Sequence, residues 1–369
     1  MPAVHEMEDE GPRVEVDGSG AVASALPGAI PWGRMVGGAS ALLPGVVVTA
    51  AIALVATLLG GLVPVVGAPV IAILCGIAIS LVKRPSARLL PGISFTAKKV
   101  LQGSIVVLGF GLSLGQVLST GTGSLPVLVG TLVAALAMAW LAGRLLRLPA
   151  DLRTLIGVGT AICGASAIAA SSAVIEAEEA DVSYAIATIF TFNVVAVLLY
   201  PTIGHALGLS QRGFGLWAGT AINDLSSVVA ASTIYGHLAA ANGVIVKLTR
   251  TLAIVPISLF LAARHRRAAK GAAVGASARR PLHRVFPLFI LAFLAAVALN
   301  SVGAVPAVWH RGLADLAGWM ITAALAAVGL STDAGAIRRA GLRPLGLGAV
   351  LWATVGLSSL GLQAATGWR

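Results

Sequence analysis

Long apolar segments dominate this chain and decide its structural class. One membrane crossing by a helix needs about 20 mostly apolar residues, and about eleven stretches meet that requirement. The approximate spans are residues 41–60, 67–82, 99–118, 124–142, 154–175, 183–207, 213–235, 243–263, 286–303, 312–331 and 345–365. They are apolar on all sides, whereas the strands of a membrane barrel alternate between lipid-facing and lumen-facing residues. The pattern therefore predicts an all-α membrane protein with about 10–11 transmembrane helices.

Charged residues are too few to cover a water-facing surface. They make up 11% of the chain, against 57% hydrophobic residues, whereas soluble domains carry about 25% charged residues. The net charge of +11 could suggest a nucleic-acid partner, but the basic residues lie between apolar segments and not along one face. We expect a lipid bilayer as the partner and no nucleic acid.

The basic residues are distributed unequally between the two sides of the membrane. If the N-terminus is cytoplasmic, all 25 Lys and Arg lie on the cytoplasmic side except Lys247, Arg250, Arg311 and Arg369. Such an excess is what the positive-inside rule requires. The sequence thus predicts a multi-pass protein of the bacterial inner membrane with a cytoplasmic N-terminus.

Two segments differ from the spans in composition. Residues 1–38 begin with a cluster of acidic side chains and lack the positive start and early apolar run of a secretory signal. We expect a disordered cytoplasmic tail there, followed by a transmembrane domain at 39–369. Residues 264–284 are rich in Arg, Ala and Gly and predict a basic cytoplasmic loop. That loop either is a tether that fixes topology or binds lipid or a partner.

Cysteine and histidine indicate neither a disulfide framework nor a metal site. Cys75 and Cys163 both lie in apolar spans, and the six histidines are not spaced as ligands. We expect no metal and no cofactor.

Two spans, 154–175 and 213–235, are rich in Gly, Ser and Thr, and the second places Asn223 and Asp224 near its middle. Small residues of this kind allow close helix packing in lipid. They also suit a broken helix, whose half-helix N-terminus offers partial positive charge to an anion. A carboxylate at mid-membrane costs about 2.5–3.5 kcal/mol, so Asp224 is either bonded to its neighbours or coupled to ions or gating.

The two spans also resemble each other. Aligning 159–173 with 219–233 pairs Gly159 with Gly219 and Thr160 with Thr220, and several Ser and Ala match as well. A second internal similarity links residues 109–115 with 328–332. Only the spans of this second pair cross the membrane in opposite directions, as an inverted repeat requires. The two similarities have different sequence spacings, so they do not define one repeat.

Two basic residues and one asparagine lie in or near the other spans. Lys247 and Arg250 are one helical turn apart, and they either snorkel to the headgroups or balance the charge of an anionic substrate. Asn193 either bridges helices or contacts substrate.

The sequence resembles the YeiH-like family of membrane proteins, also called the sulfate exporter family, over roughly residues 40–365. The matching motifs are Gly-Thr-Ala-Ile-Cys-Gly at 159–164, Phe-Asn-Val-Val-Ala at 192–196, Ala-Ile-Asn-Asp-Leu-Ser at 221–226 and Lys-Leu-Thr-Arg at 247–250. The resemblance implies two inverted helical repeats, similar to bile-acid symporters and sodium–proton antiporters, and transport of sulfate or a related sulfur-containing anion.

Four polar positions depart from that family pattern. Asn223 stands where the family usually has His, Leu225 where it has Thr, Ser227 where it has Gln, and Ala165 where it has Asn. A proton-coupling role for a family His therefore does not apply to Asn223. The sequence does not identify the substrate.

The hypothesis is a secondary transporter of a small anion that works by alternating access. Its expected substrate-binding residues are Gly159, Thr160, Cys163, Gly164, Ser166, Gly219, Thr220, Asn223, Ser226 and Ser227. Asp224 and Asn193 would couple or gate, and Lys247 and Arg250 would balance charge.

The sequence allows alternatives to transport. An ion channel, or a membrane sensor or partner subunit without transport of its own, remains open. An enzyme is not expected, because the two unusual spans hold no His and one acid.

The chain has no ATP-binding motif, so an ion gradient, the substrate's own gradient or a partner chain would supply the energy. Homo-oligomerisation is left open.

Overall fold

The computed structural model describes residues 39–62, 67–268, 288–332 and 341–368. Regular secondary structure in these ranges is helical throughout. The helices are α1 Ala39–Leu62, α2 Gly67–Val82, α3 Leu90–Phe95, α4 Leu101–Gly109, α5 Leu114–Leu145, α6 Ala150–Ala161, α7 Ala165–Ile175, α8 Glu179–Ala206, α9 Gln211–Ala221, α10 Leu225–Tyr235, α11 His237–Thr251, α12 Ile254–Ala268, α13 Leu288–Ser301, α14 Ala307–Leu330 and α15 Leu342–Thr366. The predicted acidic tail at 1–38 lies outside the described residues.

Six segments of the described chain are long and apolar enough to cross a membrane: α1, α5, α8, α11 with the start of α12, α14 and α15. Large apolar side chains such as Leu58, Val129 and Leu357 stay exposed on them, at 65%, 57% and 70%. Exposed apolar surface of this extent suits contact with lipid. The prediction of an all-α membrane protein is confirmed.

The third predicted span was misplaced. Residues 99–118 do not form one helix, because α3, a π-helical turn at Thr96–Val100 and α4 make a span from 90 to 109. Ser113 then starts α5 with a capping box, in which its side chain accepts from Gln116 N and Gln116 Oε1 accepts from Ser113 N. Lys98 and Lys99 lie within the π-helical turn.

Other predicted spans overlap one helix or two consecutive helices. Span 243–263 corresponds to α11 and α12, which are interrupted at Leu252 and Ala253. Pro256 accounts for this interruption, since it has no N–H to donate to the carbonyl four residues earlier. Helix α12 continues to Ala268, within the predicted cytoplasmic loop at 264–284, and residues 269–287 lie outside the described part.

Glycine pairs bring several helices into backbone contact. A Cβ on Gly76 of α2 would lie 2.9 Å from the Cα of Gly329 on α14, and one on Gly92 of α3 would lie 2.7 Å from the Cα of Gly45 on α1. Small residues allow this approach in lipid, where helix association depends on close packing.

The largest buried cluster surrounds the two Gly-rich spans. It includes Val158 and Ala161 of α6, Trp217 and Ala221 of α9, and Tyr200 of α8, whose ring stacks on that of Trp217 with centroids 4.2 Å apart. The core thus holds the interrupted helices in place from the side.

Candidate functional site

Both Gly-rich spans are broken helices, and they break at matching positions. Helix α6 ends at Ala161 and α7 begins at Ala165, while α9 ends at Ala221 and α10 begins at Leu225. The register that pairs Gly159 with Gly219 in the sequence therefore also pairs the two interruptions, residues 162–164 and 222–224. The similarity between the two sequence segments therefore corresponds to a local structural repeat.

The first interruption depends on a glycine. Gly164 has φ +69° and ψ −130°, a conformation that residues with a Cβ adopt only under strain. The second interruption uses extended residues instead, with Ile222 at φ −88° and ψ 137° and Asp224 at φ −103° and ψ 158°. The extended Asp224 is suited to begin a new helix as its N-cap.

The two interruptions contact each other. A Cβ on Gly164 would lie 3.5 Å from the Cβ of Asp224 and 3.7 Å from the carbonyl carbon of Asn223. Asn193 of α8 binds the second interruption, since its Oδ1 accepts from the backbone N of Asn223 at 3.2 Å. We call residues 162–164, residues 222–224 and the side chain of Asn193 the crossing.

Lys247 of α11 bridges the two interruptions. Its Nζ donates to the carbonyl oxygens of Ile162 and Ile222, at 2.8 Å each. These two isoleucines are equivalent in the repeat register, so one ammonium group binds the same backbone position of both broken spans. The side chain is fully buried.

Arg250, one turn further along α11, binds the ends of α6 and α9. Its Nε donates to the carbonyl of Ala161 at 2.7 Å and its Nη2 to that of Thr160 at 2.8 Å, while Nη1 donates to that of Thr220. The last carbonyls of a helix have no partner within the helix and carry partial negative charge. Arg250 and Lys247 satisfy such groups on both helices at once.

This arrangement differs from snorkelling. Lys247 and Arg250 are 0% and 2% exposed, and their hydrogen bonds go to backbone carbonyls in the protein interior. Buried cations are tolerated where they are paired or fully hydrogen-bonded. Both side chains bind carbonyls at the ends of α6 and α9, while balancing the charge of an anionic substrate stays a prediction.

Asp224 is the N-cap of α10. Its Oδ1 accepts from the backbone N of Ser227 at 3.0 Å, and its Oδ2 accepts from the hydroxyls of Ser226 at 2.6 Å and Ser227 at 3.1 Å. The carboxylate is half-buried and lies two residues along the chain from Ile222, whose carbonyl binds Lys247. Bonding to neighbouring groups is thus present, while a coupling or gating role for Asp224 stays a prediction.

The remaining candidates divide into buried and accessible residues. Gly159 and Gly219 serve close packing, since a Cβ would lie 2.9 Å from Ile168 Cδ1 and 2.7 Å from Val246 Cγ1, respectively. The hydroxyl of Thr220 is buried and pairs with Ser359 Oγ at 2.6 Å; Thr160 is also buried. The accessible candidates are Cys163, Ser166 and Ser226, of which Ser166 is the most exposed.

Two polar atoms of the crossing have no hydrogen-bond partner among the described residues. They are Asn193 Nδ2 and Asn223 Oδ1, and both side chains are 2% exposed. A buried polar atom without a partner costs about 1–3 kcal/mol. Such atoms are expected where a ligand or water supplies the missing partner.

Sequence reasoning missed some of the contacts at this site. Ser359 of α15, which binds Thr220, is one of two adjacent serines in an apolar helix and gives no distinguishing signal. The carbonyls of Ile162 and Ile222 belong to apolar residues, so their role as partners of Lys247 is invisible in the side-chain pattern. Within the described ranges no group of three or more His, Cys, Asp and Glu could hold a metal ion.

Comparisons with known proteins identify relatives over most of the chain. Residues 44–348 match the family described as conserved hypothetical protein 698. A UPF0324 membrane protein of Streptococcus pneumoniae is 43% identical over 282 residues, which cover 74% of this chain and 82% of that protein. Relatives with the same name from Streptococcus mutans and Streptococcus agalactiae are 41% and 40% identical, over 73% and 74% of this chain and 81% and 82% of their own lengths.

These names state a membrane location and no substrate. They agree with the YeiH-like resemblance and with a multi-pass membrane protein. The match extends over both broken helices and both buried cations, which lie within residues 44–348. The chain therefore belongs to the conserved hypothetical protein 698, or UPF0324, family of membrane proteins.

Proposed function

We propose that this protein is a secondary transporter of a small anion, with its substrate site at the crossing. The observation that carries the proposal is the pair of interrupted helices bound together by Lys247 and Arg250. Non-helical backbone at membrane depth is tolerated where it is enclosed by protein or lines a water-filled cavity. In secondary transporters, interruptions of this kind form the substrate site near the middle of the bilayer.

The charge at the crossing favours an anion. Lys247 and Arg250 contribute two positive charges and Asp224 contributes one negative charge, while the C-termini of α6 and α9 are offset by the N-termini of α7 and α10. One positive charge therefore remains in a region of low dielectric, where electrostatic attraction is strong. Sulfate, or another small oxyanion bearing sulfur, is the substrate that the family resemblance favours.

The distribution of basic residues along the chain bears on the orientation of the protein in the membrane. We propose the bacterial inner membrane and a cytoplasmic N-terminus, because the positive-inside distribution of Lys and Arg favours both.

We also propose that the protein has no enzymatic activity, since Asp224 is the acid of the crossing and the described histidines lie outside it.

Flux into proteoliposomes tests the proposal. Purified protein reconstituted into vesicles should take up radiolabelled sulfate with saturable kinetics, and unlabelled sulfate inside the vesicles should accelerate uptake. A channel would give neither saturation at low concentration nor this acceleration, and a sensor subunit would give no flux above empty vesicles. Uptake equal to that of empty vesicles for sulfate, sulfite and small sulfonates alike would overturn the proposal.

A matched pair of variants links the flux to the site. Asp224→Asn removes the negative charge of the crossing and keeps an oxygen that can cap α10, so we expect altered transport by a folded protein. Asp315→Asn makes the same chemical change at an exposed position of α14 and should leave flux unchanged. Equal flux in both variants would show that transport does not depend on the charge of Asp224, and the substrate site would then not lie at the crossing.

A further inference from the structure

The second Gly-rich segment, which forms α9 and α10, turns back on itself. At the end of α10, the hydroxyl of Tyr235 donates to the carbonyl of Leu209, which lies just before α9. The ring of Tyr235 stacks on that of Phe214 with centroids 3.8 Å apart, and the backbone N of Leu238 donates to Gln211 Oε1 at 2.9 Å. The ends of a segment that crossed the membrane would be separated by a hydrocarbon core of about 30 Å. Helices α9 and α10 therefore form a hairpin, with the interruption as its tip.

The first Gly-rich segment, which forms α6 and α7, turns back as well. A Cβ on Gly159 of α6 would lie 2.9 Å from Ile168 Cδ1 of α7, although nine residues of continuous helix extend about 13 Å. One buried cluster contains Leu152, in the first turn of α6, together with Ala185 and Ile189, in the first half of α8. If α6 and α7 crossed the membrane, the first half of α8 would lie beside α7 and far from the start of α6. Helices α6 and α7 therefore form a second hairpin.

Helix α8 runs from the base of one hairpin to the base of the other. Three residues separate its start from the end of α7, and its 28 residues extend about 42 Å, enough to cross a bilayer. Its last turns contact the base of α9–α10, since a Cβ on Gly204 would lie 2.9 Å from Tyr235 Cε2 and the rings of His205 and Tyr235 are 4.2 Å apart. The two hairpin bases therefore lie at opposite ends of one membrane-crossing helix.

The segment formed by α11 and α12 packs on one hairpin in each half of the membrane. Helix α11 packs along α9 and α10, while α12 packs on α7, and residues 237–261 are long and apolar enough to cross a membrane. Lys247 lies about 15 Å along α11 from its start, half of a hydrocarbon core of about 30 Å. Because Lys247 binds the interruptions of both hairpins, the two tips meet near the middle of the bilayer.

We propose that neither Gly-rich segment crosses the membrane. Each is a re-entrant hairpin, and the two enter from opposite faces, α6–α7 from the cytoplasmic face and α9–α10 from the outer face. The non-helical backbone of the tips is tolerated at this depth because protein encloses it. The hairpins are thus inverted relative to each other, as the repeats that form a transporter site often are. An alternating count of about eleven crossings instead makes the two segments parallel.

The distribution of basic residues is compatible with both topologies. Two crossings are replaced together, so the segments before α6 and after α10 keep their sides. Among the Lys and Arg of the sequence, Arg212 alone changes side, and the positive-inside bias is preserved. The acidic residues at 176–181 move to the cytoplasmic side, where Asp and Glu contribute little to orientation. The direction of α8 is therefore the feature that distinguishes the two topologies.

Single cysteines at the two ends of α8 test the proposal. Ala180→Cys and Ala206→Cys, both at exposed positions, are made separately in full-length protein carrying Cys75→Ser and Cys163→Ser. A membrane-impermeant maleimide is applied to intact spheroplasts and to permeabilised ones. We expect Ala206→Cys to be labelled in intact spheroplasts and Ala180→Cys to be labelled only after permeabilisation.

Two further cysteines define the sides of the membrane. Ser86→Cys, between α2 and α3, and Ala304→Cys, between α13 and α14, are also at exposed positions. Both topologies place position 86 in the cytoplasm and position 304 outside, so these variants are the controls. Labelling of 180 like 86 and of 206 like 304 would support the hairpins, whichever way the whole protein is oriented.

Other labelling patterns would overturn the proposal. Labelling of 180 like 304 and of 206 like 86 would mean that both segments cross the membrane. Labelling of both ends of α8 from one side would mean that α8 does not cross, and labelling of both controls from one side would mean that the two segments are not both hairpins. This inference goes beyond the proposed transport and is measured without sulfate flux, so its failure and the failure of the proposed function are distinguishable.

Discussion

Lys247 and Arg250 lie one turn apart on α11 and bind the same two interrupted helices from one side. Lys247 donates hydrogen bonds to the carbonyls of Ile162 and Ile222. Arg250 donates to those of Thr160, Ala161 and Thr220. Because both broken spans are bonded to one rigid helix, they are held as a unit. Stability of the crossing and charge at the crossing therefore depend on the same two side chains.

Replacing Lys247 by Met should destabilise the protein strongly. Met fills a similar volume but leaves the carbonyls of Ile162 and Ile222 without their donor, and we expect a loss of about 2–4 kcal/mol because each buried orphan costs about 1–3 kcal/mol. Thermal unfolding in detergent, followed by tryptophan fluorescence, measures the change. Lys83→Met, at an exposed position next to α2, is the control, and equal melting of both variants would show that Lys247 does not hold the crossing together.

Arg250→Lys should also lower stability, although it conserves the charge. A guanidinium has several donors in a fixed planar arrangement, whereas an ammonium is a compact point charge, and one Nζ cannot reach the three carbonyls that Arg250 binds. We expect a loss of at least about 1–2 kcal/mol, the cost of leaving one carbonyl unpaired. Arg212→Lys, exposed in α9, should unfold like wild type. A melting temperature of Arg250→Lys within error of that control would mean that charge alone suffices.

The broken helices could be predicted from the sequence because their cause is local. Gly164 and the polar pair Asn223 and Asp224 interrupt apolar runs at matching positions, and that pattern indicates where the helical ladder is weak. The third span was misplaced for a related reason. Its hydropathy continues past residue 109, where α4 ends, and the capping box of Ser113 and Gln116 starts α5 at Leu114, with a spacing that is a recognisable signature.

The partners of the buried cations could not be predicted in the same way. Lys247 and Arg250 are visible as charges in an apolar span, but their partners are backbone carbonyls, which every residue carries. Only the folded arrangement brings Ile162 and Ile222 to one ammonium group.

Gly164→Ala should be destabilising although the side chain added is small. The φ of +69° and ψ of −130° are strained for a residue with a Cβ, which costs about 1–3 kcal/mol, and the new Cβ would lie 3.3 Å from Ile189 Cγ2. Gly361→Ala is the matched control, since that glycine is in the helical α15 with no atom near its Cβ position; there Ala should stabilise by up to about 1 kcal/mol. Unfolding temperatures that shift in the same direction for both variants would contradict the strained conformation at 164.

Asp224 allows its capping role and its charge to be separated. Asp224→Ala removes the acceptor of Ser227 N and should cost about 0.5–2 kcal/mol, the usual range for loss of an N-cap. Asp224→Asn keeps an Oδ1 at the same place, and Asn is as good an N-cap as Asp, so its unfolding temperature should stay near that of wild type. Exposed Asp315 of α14 provides the controls, and both of its corresponding variants should unfold like wild type. If Asp224→Asn unfolds as early as Asp224→Ala, the negative charge beside Lys247 contributes more stability than the cap, and a change in flux in Asp224→Asn then reports a weakened crossing and not a coupling role.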